Sequence, residues 1–350
     1  MKKKKIILLV GLFFLILTTT GCVRILEDED GNRVNNEVTG QNLTENILCR
    51  PTDPEIIKLY EDAGADLSEL PECSDLRITS GSGGIWENVF IVPLAFLLIT
   101  VGGVVGSYAL ATIIVSIAIR LVLLPVSMKS MKSTEGMRKA QPEIQKMQKK
   151  YEGKTDQESR MKQSQEMMAI WKKYKINPVS GCLMALIQLP IFMAFFGAIQ
   201  RLPVLFEEKV IGLQLGTTPA VGISSSTSYM YIILVLLIGV TTYFSFKMTM
   251  APNASSPGME KQMKMMPQIM TVTIIVMSAF MPAALGIFWI TTNVFIICSN
   301  KIMRRNSKFP TDVKEIKEAK VISTRNKEPK VIEAKVKETK SSPKKKNTKK

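Results

Sequence analysis

Five apolar runs of about 15–20 residues constrain this chain more than any other feature, because crossing the bilayer core takes roughly that length of helix. They lie at residues 107–127, 181–199, 229–246, 267–281 and 283–302. The first of them contains Arg120, between Ile119 and Leu121. A charge at mid-bilayer costs about 2.5–3.5 kcal/mol on insertion scales, so it needs a polar cavity, a partner or a route to the interface. Arg120 lies ~20 Å along a helix from Ser107. No Asp or Glu falls within any of the five runs. Hydrophobic residues make up 46% of the 350-residue chain and charged residues 22%, a combination that requires the two kinds to be segregated into blocks.

The N-terminus reads as an export signal. Residues 1–5 are basic and 6–17 apolar, and Thr18-Thr19-Thr20-Gly21-Cys22 follows. Gly21-Cys22 resembles the end of a bacterial lipobox, with Thr19 where leucine is usual. On that reading residues 1–21 are removed and Cys22 carries lipid. Residues 22–85 form an acidic extracytoplasmic segment, with 14 Asp/Glu against 5 Lys/Arg over 23–85, and are expected to be weakly or partly ordered. Cys49 and Cys73 lie there, on the oxidising side, where they can pair or remain free. Residues 86–106 are apolar but short and glycine-bounded, and read as an interfacial helix.

Charge sets the orientation. Residues 129–175 carry 13 Lys/Arg against 6 Asp/Glu, and residues 301–350 carry 18 against 6. Both segments are therefore expected in the cytoplasm. The N-terminus is then outside, as the signal requires. The first of these segments reads as a cytoplasmic helical hairpin broken at Glu152-Gly153-Lys154-Thr155, with Ile144, Met147, Met161 and Met168 at helical spacing. The fold class is thus an all-α membrane protein, with a core over residues 107–303 and a basic tail over 304–350.

Three motifs occur in order. Ile119-Arg120-Leu121-Val122-Leu123-Leu124-Pro125 closes the first span. Gln188-Leu189-Pro190 lies in the second. Pro282-Ala283-Ala284-Leu285-Gly286-Ile287-Phe288-Trp289, followed by Asn293, opens the fifth. Their order and spacing, with the basic hairpin after the arginine span, resemble the YidC-type membrane protein insertases, relatives of the mitochondrial Oxa and chloroplast Alb proteins. The lipobox and basic tail are similar to the Gram-positive members; the acidic segment is longer than is usual there. The resemblance covers residues 86–303. It implies five helices around a hydrophilic groove open to the cytoplasm, with Arg120 as the groove charge and Gln188 and Trp289 at other groove positions. Ser116 lies one turn before Arg120, and Asn293 one turn after Trp289, each on the same helical face.

Plainer readings accompany these residues. Ser116 and Gln188 can serve only as hydrogen bonds between helices. Trp289 can be packing bulk, and packing is the stronger reading for Asn293. The 21 methionines suit a surface that accepts varied apolar segments, or are simply apolar filler.

The implied function is insertion and folding of inner-membrane proteins. The expected partners are nascent membrane proteins, the ribosome through the tail, anionic lipids and, as an open case, the Sec translocon. No enzymatic activity and no cofactor are expected: the chain has no His, so imidazole chemistry is excluded, and it has no P-loop. No metal site is expected. A small-solute or anion transporter with Arg120 as ligand is one alternative, although such transporters often show paired repeats that are missing here. A ribosome anchor acting through the tail alone is another.

Overall fold

The computed structural model describes residues 23–78, 84–154, 156–177, 180–224, 228–249 and 259–306, without the side chains of 180–186, 228, 259–264, 304 and 306. The signal segment, Cys22 and the tail beyond 306 lie outside the described residues. By its contacts the chain divides into Met1–Arg304 and Arg305–Lys350, and the elements described below lie in the first save for the last two residues of the final helix.

The acidic segment is folded rather than weakly ordered. Strands β1 (Asn35–Asn36) and β2 (Gln41–Asn42) pair antiparallel. Helix α1 (Pro54–Asp62) starts at Asp53, whose carboxylate accepts the Glu55 amide at 2.9 Å, with Pro54 in the first turn. It buries Ile56 and Tyr60 against Leu26, Leu43, Ile47 and Leu67, and the Tyr60 hydroxyl donates to the Thr44 carbonyl at 2.8 Å. Cys49 and Cys73 form a disulfide. These apolar residues are dispersed singly among acidic ones, so no run or period announces the core they make. Phe206 completes that core from far along the chain. This unit is called the cap below.

A π-helical turn (Glu87–Ile91) passes directly into α2 (Val92–Val105). Together, Glu87–Val105 form one of three helices among the described residues that are long and apolar enough to cross a membrane. The segment expected as an interfacial helix over 86–106 is thus one helix within those bounds, long and apolar enough to span. Its glycines Gly102 and Gly103 lie inside the helix, and it ends at Gly106, which takes the left-handed conformation (φ 72°) that favours glycine.

Ser107 caps α3 (Tyr108–Val122) through its side chain. The first span was expected over residues 107–127. Instead α3 meets α4 (Leu124–Tyr151) at a 66° bend, and only together are they both long and apolar enough to form a span. Pro125 explains the break: it has no amide hydrogen, and its ring crowds the carbonyl four residues back. Helix α5 (Gln157–Lys173) folds back on α4 as the expected hairpin. Ala140, Ile144 and Met147 of α4 pack there with Met167, Ile170 and Trp171 of α5. Met161 and Met168, expected on this face, are exposed.

Helix α6 (Ser180–Arg201) is followed by the short helix α7 (Pro203–Phe206), a hairpin of β3 (Lys209–Val210) and β4 (Leu213–Gln214), and the short helix α8 (Pro219–Gly222). Helices α9 (Ser228–Thr249), α10 (Met259–Ala279) and α11 (Ala283–Asn306) complete the bundle. By length and apolarity, α9 and α11 supply the other two candidate spans. The apolar part of α10 over Met265–Ala279 is shorter. Helix α11 lies between α6 and α9. Phe288 stacks on Phe195 of α6 at 4.2 Å, and a side chain at Gly286 would press on Ile238 and Leu234 of α9.

Candidate functional site

Helix α3 presents two faces. Leu110, Ile114, Ile117 and Leu121 are exposed along one side. Ala109, Thr112, Ser116 and Arg120 are buried along the other. The spacing is that of an amphipathic helix turned outside in, with polar groups inward and apolar groups outward. Arg120 is thereby carried into the bundle, where it is only 4% exposed.

Inside, the guanidinium of Arg120 donates to the side-chain carbonyl of Gln188 on α6. Among the described residues, no ion pair includes Arg120. An amide accepts a hydrogen bond but does not neutralise, so the charge stays electrostatically uncompensated. The Ser116 hydroxyl donates to the Thr112 carbonyl of its own helix at 2.5 Å. Ser116 thus shares the face of Arg120 while spending its hydrogen bond locally.

Helix α11 divides its two candidates. Trp289 packs on Phe192 of α6, with centroids 5.2 Å apart. Phe192 is one turn along α6 from Gln188. Asn293 turns toward α9, where its amide donates to the Thr242 hydroxyl at 2.9 Å. Residues four apart differ by about 40° around a helix, enough to serve two neighbours when the helix lies between them. The structure therefore brings Arg120 and Gln188 into contact, packs Trp289 on Phe192 of the same α6, and uses Asn293 to join α9 and α11.

Sequence reasoning missed a second buried arginine. Arg201, at the end of α6, pairs with Glu87 of the π-helical turn, the two side chains being 2% and 8% exposed. Around it the cap is stitched to the bundle. Leu48 donates its amide to the Arg201 carbonyl at 2.9 Å, and the Thr44 hydroxyl donates to the Gln200 carbonyl at 3.3 Å. Glu207 accepts the amides of Thr52 and Asp53, and Glu208 accepts that of Ala109 at 2.9 Å. The available signal was the placement of two opposite charges at the ends of apolar helices. Their separation of 114 positions hid the pairing.

At the other end, the hairpin is held at its base. Arg138 of α4 donates to the Lys247 and Met248 carbonyls at the end of α9, at 3.2 and 2.6 Å. This satisfies carbonyls that have no partner within the helix. The Ser133 hydroxyl donates to the Asn177 carbonyl and accepts its amide, both at 3.0 Å. Nearer the tip, Glu166 accepts from Lys150 and Tyr151. The hydrogen bond from Lys150 holds the Glu166 carboxyl below its ordinary range.

The model of the 60Kd inner membrane protein family matches residues 100–318. The chain is 37% identical over 242 residues to the membrane protein insertase YidC of Oceanobacillus iheyensis, covering 67% of this chain and 91% of that protein. It is 36% identical over 238 residues to the membrane protein insertase MisCA of Bacillus subtilis, covering 67% and 86%. It is 38% identical over 223 residues to YidC of Alkalihalophilus pseudofirmus, covering 63% and 82%. The chain belongs to the 60Kd inner membrane protein family, the family of the YidC membrane protein insertases.

Proposed function

We propose that this chain inserts membrane proteins into a bacterial plasma membrane and helps them fold, using the buried charge of Arg120 as a transient docking point. The observation that carries this reading is the contrast between two buried arginines. Arg201 has a carboxylate, whereas Arg120 has an amide. A buried charge without a counter-ion favours an anionic or strongly polar visitor.

In this reading the hairpin and tail face the cytoplasm and the cap lies outside. A nascent apolar segment approaches from the hairpin end. Its short polar or acidic tail lodges beside Arg120 and displaces Gln188. That contact lowers the desolvation barrier for the tail. Burial of the apolar segment in lipid, at about 25 cal/mol per Å², then drives release. Ser116 and Trp289 border the groove in which this happens. No nucleotide or cofactor takes part. The Lys-rich tail holds the ribosome or anionic headgroups nearby, Cys22 carries a lipid anchor, and the Sec translocon is a further candidate partner. Intact mass of the mature protein checks the anchor: a chain beginning at unmodified Met1 rules it out.

The central test is complementation of a strain depleted of its own insertase activity. Arg120→Ala is expected to impair insertion of substrates with polar external tails, and Arg120→Lys to support it, because charge is needed rather than a two-pronged donor. Full insertion by Arg120→Glu refutes the electrostatic account. In the same strain, deletion of residues 309–350 is expected to leave partial activity. Complete loss favours a ribosome anchor instead.

A further inference from the structure

The β3–β4 hairpin turns through Ile211 and Gly212, with φ of 51° and 77°. Two consecutive residues at positive φ make the tight turn that asparagine–glycine forms best. Glycine fits the second place. Isoleucine at the first is unfavourable, because in the left-handed region a β-branched side chain crowds its own backbone. Among the described residues little packs against that side chain, since Ile211 is 78% exposed.

The position of the turn indicates what surrounds it. The Gln214 amide donates to the Tyr231 hydroxyl at 3.1 Å, in the first turn of α9. Leu213, next to the turn, packs against the cluster of Tyr231, Leu234, Ile238 and Ala283, at the start of α9 and α11. The Leu215 and Thr217 carbonyls accept the amides of Ala284 and Ala283. The hairpin is thus fixed at the level where two candidate spans begin. The exposed surface there is apolar and continuous with the side of α9: Tyr229, Ile232 and Ile233 are exposed, as is Phe280 at the end of α10. Lys209 is exposed at the base of the same hairpin. An apolar tip with an adjoining lysine matches the interface, where acyl chains take the first and phosphates the second.

We infer that the β3–β4 hairpin is an interfacial anchor, with Ile211 inserted into the lipid leaflet on the cap side and Lys209 among its headgroups. The inference rests on reading α9 and α11 as spans and is independent of the insertase reading. Such an anchor fixes the depth of the bundle at its cap end, and with it the depth of Arg120.

The test uses the full chain with Cys182→Ser and Cys298→Ser. Ile211→Cys is added, labelled with an environment-sensitive fluorophore, and compared with the labelled parent in vesicles of phosphatidylcholine and phosphatidylglycerol. The extra emission is expected to be blue-shifted, with at least about twofold more quenching by shallow lipid-borne nitroxide than by aqueous iodide. Stronger quenching by iodide overturns the inference, as does resistance to both quenchers, which means a protein cover. Ile211→Asn provides a second measurement. It relieves the turn, so Tm in detergent is expected to hold or rise; a fall of several degrees means that Ile211 packs inside the protein and also overturns the inference.

Discussion

Arg120 and Arg201 are both buried, yet their neighbours commit them to opposite tasks. Removing one partner of a buried ion pair costs about 3–5 kcal/mol, because the other charge is left unpaired. Arg201→Ala removes the counter-ion of Glu87 and is expected to lower stability by that amount, with partial recovery when Glu87→Leu is added. Arg120→Ala strands no carboxylate, and its expected stability cost is below about 2 kcal/mol even though insertion suffers. Thermal unfolding of the two purified variants in detergent checks this; equal losses would remove the distinction. Arg120 and Gln188 were legible in the sequence because each is a polar exception within an apolar run. Glu87 and Arg201 were not, because charges at helix ends can snorkel and arouse no suspicion there. Packing was the stronger reading for Asn293, and its bond to Thr242 fits that reading, but helical spacing fixes an angle and does not say which neighbour occupies it.

Among the elements, the hairpin shows how periodicity can find a helix and miss its face. Ile144 and Met147 are buried as expected, but α5 turns Met167, Ile170 and Trp171 inward and leaves Met161 and Met168 in solvent. Charged residues separate these methionines, and either set gives an acceptable period. The tip carries the Lys150–Glu166 pair. The Lys150 hydrogen bond lowers the Glu166 pKa from its ordinary 4.5, so that contribution is present above 4.5 and is lost as pH falls through the lowered value. The Glu166 hydrogen bond raises the Lys150 pKa above its ordinary 10.5, so its contribution is present below 10.5 and is lost as pH rises through the raised value. Protection of the 150–166 amides, corrected for intrinsic exchange, is therefore expected to be flat between these limits and to weaken beyond either one. High salt is expected to flatten the profile, because the pair is exposed. A profile that does not respond to pH or salt would show that the apolar core alone holds the hairpin.

Across the whole molecule, the cap is a structural part of the bundle rather than an appendage. Phe206 fills its core, and the carbonyls of Gln200 and Arg201 accept its hydrogen bonds. The disulfide closes a loop of 24 positions around α1, and a cross-link of that span stabilises by about 3 kcal/mol in the chain-entropy account. Cys49→Ser with Cys73→Ser is expected to expose the region of residues 50–72 to limited proteolysis while the bundle stays resistant. Cleavage unchanged from the parent would mean that the cap holds without its cross-link. The sequence by itself determined that the chain is helical and membrane-bound, that one span carries a charge, and that a basic hairpin follows it. Those properties reside in runs of neighbouring residues, where composition and local period act directly. Only the tertiary structure decided which buried arginine has a counter-ion, where Pro125 bends the first span, and that the acidic segment folds on the end of α6. Each of these depends on groups far apart in sequence, and pairing across such distances is chosen by packing.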